Sequence, residues 1–134
     1  MVSLAIAGEP RFRLERAELD RDGPSYTVDT LRALSAANPG RRLALLVGAD
    51  AAAELPAWRD AATLPALADL VVFARPGAVI PALPWPVHTV QVPAVDISAT
   101  AVRRRAAEGR SLRYWVPDAV AEFIRVERLY LADA

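Results

Sequence analysis

Three short stretches carry side chains of the kinds that hold phosphates and flat heterocycles. In "DISATAVRRR" two hydroxyls, Ser98 and Thr100, stand just ahead of Arg103, Arg104 and Arg105. If a helix starts here, its free N–H groups and partial positive charge, the hydroxyl donors and one arginine fork make a cradle for phosphate oxygens. Successive helical residues point about 100° apart, so three consecutive arginines cannot all serve one ligand. Arg103 is the candidate, and at least one other is a solvated surface charge. The ordinary alternative is that Ser98 or Thr100 only caps the helix, its oxygen accepting from an N–H one turn in.

The second stretch is "VGAD". Gly48 and Asp50 follow an apolar run that reads as a parallel strand, and open α/β sheets bind ligands beyond the carboxyl ends of such strands. Glycine lets a ligand approach the backbone, and a carboxylate there suits ribose hydroxyls; the alternative is that Asp50 caps the next helix. The third is "LPAW". Trp58 lies beyond the same strand end, where an indole can stack on a heterocycle or simply pack in the core. His88, the single histidine, sits in a proline-rich extended stretch and reads as exposed or structural. With one histidine and no cysteine, zinc binding and Cys-His or Ser-His catalysis are poor fits.

The elements that must position these residues follow from patterning. "RLALLVGAD" and "LADLVVFARPG" are short continuous apolar runs, the pattern of strands covered on both faces. Between them "AAAELPAWRDAATLPAL" is helical on either side of Pro56, giving a βαβ unit and an α/β fold. Upstream, "MVSLAIAG" is an apolar half helix, and "RFRLERAEL" alternates Phe12, Leu14 and Ala17 with charges as a strand with one wet face would. "GPSYTVDTLRALSAANPG" is a helix with Ser25 or Thr27 as its cap, Val28, Leu31 and Leu34 along one face and Pro39-Gly40 as its stop. The five prolines of residues 76–93 predict an extended connection with "HTVQV" as a strand. "SATAVRRRAAEG" is a helix ending at Gly109, and "VPDAVAEFIRVERLY" another, with Val116, Val120, Phe123 and Ile124 on one face. Trp85 and Trp115 read as packing residues.

A chain of 134 residues fits one domain. Sixteen basic residues balance sixteen acidic ones, so no overall charge draws it to nucleic acid or an anionic membrane, and a nucleic-acid module built on the arginine run has only a small electrostatic footprint. No apolar run approaches the roughly 18 residues of a membrane span, and the absence of cysteine fits a reducing cytoplasm.

Taken in order, "GPSYTVDTLRAL", "LLVGADAAAELPAWRD", "ADLVVFARPG", "DISATAVRRRAAEGRSLRYWVPDAVAEFI" and "RLY" resemble the bacterial nicotinate-nucleotide adenylyltransferases. The resemblance implies a Rossmann-like nucleotidylyltransferase fold, a parallel sheet flanked by helices, in a single domain over residues 1–134. It also implies adenylyl transfer from ATP to nicotinate mononucleotide, giving deamido-NAD and pyrophosphate, with magnesium. By the same resemblance Tyr26 and Thr27 lie near the nicotinate ring, Thr27 within reach of its carboxylate, and Trp58 stacks on it. Gly48 and Asp50 line the dinucleotide cleft, and Ser98, Thr100 and Arg103 form the ATP phosphate site. The family's glycine-rich segment with its two phosphate-holding histidines has no counterpart here. The sequence therefore reads as the family's C-terminal two thirds, expected to turn over slowly or to bind without turnover, and to associate through a sheet edge left without its neighbour. Enzymes acting on nicotinamide mononucleotide or phosphopantetheine are the alternatives, disfavoured by the "SYTVDT" and "LPAW" pair.

Overall fold

The computed structural model describes residues 1–75, 77–93 and 95–131. The chain forms two compact units, one of Arg16–Ala94 and one of Met1–Glu15 with Val95–Ala134.

The Arg16–Ala94 unit is built on a three-stranded parallel sheet, β1 (Ala44–Gly48), β2 (Asp69–Ala74) and β3 (His88–Gln91), in that order. Register pairs Val47 with Val72 and Thr89 on one face, and Leu46 with Val71 and His88 on the other. The first face is covered. Helix α2 (Thr27–Ala37) lays Val28 and Leu31, one turn apart, against Val47, Leu70 and Val72. Helices α3 (Ala49–Glu54) and α4 (Leu64–Leu67) add Ala52 and Leu64 to the same core, with Leu55 between them. Leu55 and Leu64 are fully buried, and each contributes about 2 kcal/mol of transfer free energy.

The opposite face is bare. Leu46 is 63% exposed, and Phe73 and Val90 are exposed beside it. The continuous apolar runs of β1 and β2 thus mark strands covered on one side rather than both. Among the described residues β1 also lacks a second neighbour, so one row of its backbone groups is unpaired by strands. The expected strand in "RFRLERAEL" does not form. Phe12 is 64% exposed, among the described residues no strand pairs with the segment, and it ends in a turn where Leu19 N–H donates to Arg16 O at 2.8 Å. Alternation specifies a strand only where a partner backbone exists.

Pro56 breaks the crossover as expected: α3 gives way to a 3-10 turn, Leu55–Ala57, and a second one, Ala61–Thr63, precedes α4. The cap of α2 differs from expectation. Its N-cap is Tyr26, in extended conformation, and no side chain caps the helix; Ser25 Oγ instead donates to Glu18 O at 3.3 Å.

In the other unit, α1 (Val2–Ala5) accompanies α5 (Ala99–Ala107) and α6 (Asp118–Val126). Ala106, Leu112, Val120 and Ile124 form its core, with Val102 and Val116 packed against them. Gly109, at φ +64, ends α5 as the sequence predicts, because a side chain there would be strained.

Candidate functional site

The expected site residues fall in the two units. Tyr26, Thr27, Gly48, Asp50 and Trp58 belong to the sheet-bearing unit, and Ser98, Thr100 and Arg103 to the unit of α5 and α6.

At the carboxyl end of β1 the chain passes directly into α3. Gly48 sits at the junction with φ −71° and ψ 159°, a conformation open to any residue. A Cβ built there would meet only the Phe73 ring, at 3.7 and 3.8 Å, which is ordinary contact. Neither backbone nor packing demands glycine at this position. Asp50, in the first turn of α3, is exposed and does not cap the helix; its carboxylate has no partner among the described residues.

Trp58 ends the first 3-10 turn. It is half-buried and packs against the same core as Tyr26, leaving part of the indole accessible. The segment after it is tied to the start of α2 by charge. The Arg59 guanidinium lies 4.4 Å over the centre of the Tyr26 ring. Arg32 reaches Asp29 at 3.3 Å on its own helix and Asp60 at 3.5 Å across the gap. Asp60 itself takes the left-handed conformation at φ 51°, which few non-glycine residues adopt, and its carbonyl accepts from Thr63 N–H at 2.8 Å. These ties fix the Trp58 segment against α2. Thr30 steadies the helix start by donating from Oγ1 to Glu18 Oε1 at 2.7 Å.

None of Arg32, Arg59 and Asp60 stands out in the sequence. The contacts join residues about thirty positions apart, and no local periodicity carries such a pairing. The only trace is that "RD" follows Trp58 directly.

In the α5 unit the hydroxyls are already engaged. Ser98 is the N-cap of α5, and its Oγ accepts from Ala101 N–H at 3.1 Å. Arg103 Nη2 donates to Thr100 Oγ1, also at 3.1 Å, so this pair shares one exposed turn at the helix start. The arginines separate as helical geometry requires. Arg105 turns inward, donating from Nε to Ser111 O and stacking over Trp115 at 4.8 Å, while Arg104 stays exposed. Only Arg103 remains on the side of Ser98 and Thr100.

No family model matches the chain. A protein of Thermus thermophilus named "Probable nicotinate-nucleotide adenylyltransferase" is 49% identical over 130 residues, which is 97% of this chain and 70% of that protein. The chain belongs to the nicotinate-nucleotide adenylyltransferase family. A relative of the same name from Corynebacterium kroppenstedtii is 42% identical over 98% of this chain and 64% of its own length. These adenylyltransferases are longer than the stretch that matches. Among solved structures, Plasmodium falciparum nicotinic acid mononucleotide adenylyltransferase complexed with NaAD superposes with a TM-score of 0.62 at 14% identity, over 80% of this chain and 58% of that one. At that identity the likeness speaks to the fold, which is the Rossmann-like α/β nucleotidylyltransferase architecture. Family membership makes the chain a nucleotidyltransferase homologue in NAD biosynthesis. Among the described residues no helix is long and apolar enough to cross a membrane.

Proposed function

We propose that the chain binds nicotinate mononucleotide and ATP as one nucleotidylyltransferase-like domain, in the reaction that joins them as deamido-NAD and releases pyrophosphate. The observation that carries this reading is the 49% identity over nearly the whole chain to a relative of that name. The half-buried Trp58, the open backbone at Gly48 and the uncommitted Asp50 support the ring and ribose side. Tyr26 and Thr27 stand at the uncapped start of α2. Ser98, Thr100 and Arg103 at the start of α5 support the phosphate side.

In such a transfer the mononucleotide phosphate attacks the α-phosphorus of ATP in line. Positioning and neutralisation of charge contribute more than covalent help, so fixed N–H donors and an arginine fork suit the task. Magnesium would arrive on the phosphates and neutralise them. The exposed carboxylate of Asp50 suits that manner of binding. A reducing cytoplasm is the compartment in which a chain without cysteine is at home.

The lone His88 favours a second reading, binding with little turnover. It is exposed on β3, in the proline-rich stretch rather than in a phosphate-holding segment, and the sequence has no second histidine. Self-association through the free edge of β1 belongs to the same reading, supported by exposed Leu46. A pyrophosphate-release assay and titration calorimetry with each ligand decide between the two. Heat without turnover is expected. Ordinary turnover would eliminate the second reading, and no heat with either ligand would eliminate both.

A further inference from the structure

Two arginines face the gap between the start of α2 and the Trp58 segment, and they are spent differently. Arg32 gives its N–H groups to Asp29 and Asp60, so its charge is matched on the spot. Arg59 lies with its flat face 4.4 Å over Tyr26, and its N–H edge has no carboxylate or carbonyl partner among the described residues. A guanidinium stacked this way uses only its face; its donors remain in plane, preorganised as a fork that matches a carboxylate. Asp29 and Asp60 both bond to Arg32 and neither bonds to Arg59, so among the described residues the donors of Arg59 stay unused.

We propose that Arg59 is a specificity-determining residue, the cation that makes this site prefer a ring bearing a carboxylate over the same ring bearing a carboxamide. The inference rests on the reading of Tyr26 and Trp58 as the ring side of the site. Trp58 would hold either ring by stacking, which is indifferent to the substituent, whereas the edge of Arg59 discriminates by charge. Thr27 offers a hydroxyl to both, so it cannot supply the preference alone.

The test is calorimetric titration of nicotinate mononucleotide and nicotinamide mononucleotide into the chain and into Arg59→Gln and Arg59→Lys. Because the site is open to solvent, the wild-type preference for the acid should be roughly fivefold and should shrink as salt is raised. Arg59→Gln should abolish it by weakening the acid alone, and Arg59→Lys should keep part of it. Thermal unfolding of each variant beside the wild-type chain serves as the control that it is folded. A preference that survives in Arg59→Gln overturns the proposal and leaves the proposed substrate intact. An equal loss for both ligands also overturns it, because Arg59 would then only brace Tyr26. Binding of neither mononucleotide by the wild-type chain overturns the inference together with the reading beneath it.

Discussion

The two groups of candidate residues differ in how much of their bonding the fold itself consumes. At the start of α5, Ser98 caps the helix and Arg103 donates to Thr100, so each polar side chain has a structural occupation. In the sheet-bearing unit, Gly48 is required by no packing contact, and among the described residues Asp50 has no partner and Arg59 shows an unused edge. Polar groups that a fold leaves uncommitted are the better pointers to a ligand, because structure alone does not account for them. Substitution of the Ser98 cap should therefore move stability and binding together, whereas the exposed Arg103–Thr100 bond couples the two only weakly. In the second group the two should separate, with Trp58 as the exception because it also serves the core.

Trp58→Ala gives the largest expected effect. Removing a half-buried indole from the core that includes Leu55 should cost roughly 2 kcal/mol, less than the cost at a fully buried tryptophan. Thermal unfolding measures this, and Trp58→Phe should recover most of both stability and mononucleotide affinity. If Trp58→Phe recovers stability but not affinity, the indole's contact with the ligand is more than generic stacking. Ser98→Ala comes next, at about 1 kcal/mol for a lost N-cap, with a parallel fall in ATP affinity. A normal ATP titration in a destabilised Ser98→Ala would reduce this residue to its capping role and leave the α5 start without a hydroxyl for phosphate.

The strands were legible in the sequence because continuous apolar runs bounded by turn residues have few other solutions, and both β1 and β2 fall inside theirs. Which faces would be covered was not legible. Leu46 and Val47 are equally apolar, yet one is 63% exposed and the other buried, because only one side of the sheet receives α2, α3 and α4. The segment "RFRLERAEL" failed for a related reason: alternation describes a strand's preference, and pairing depends on a neighbour that local sequence does not encode. At the site, Arg103 was separable from Arg104 and Arg105 by helical geometry alone, and the structure separates them the same way. Arg59 was invisible, since its meaning depends on Tyr26, far away in the chain.

Arg103→Gln tests the shared turn more gently. Its bond to Thr100 is exposed, so stability should change by no more than about 0.5 kcal/mol, while affinity for ATP over adenosine should fall several-fold as one charged donor is lost. A large stability change would mean that Arg103 supports α5 structurally. The difference between the two groups would then widen, because the fold would depend on Arg103 as well as on Ser98.

Gly48→Ala should have the smallest effect on stability and is the sharpest test of the comparison. The backbone angles suit alanine, and the added Cβ makes only ordinary contact with Phe73. Alanine reduces the freedom of the unfolded chain, which is stabilising, but it is a poorer residue than glycine at a helix N-cap, which is destabilising. The two effects oppose each other, and unfolding should shift by less than about 0.5 kcal/mol. Affinity for the mononucleotide should nevertheless drop, because a methyl group would stand where the ligand is read to approach β1. Unfolding and titration on one preparation give both quantities. If neither moves, Gly48 is merely tolerated at the strand end, and Asp50 becomes the only residue of "VGAD" still assigned to the cleft.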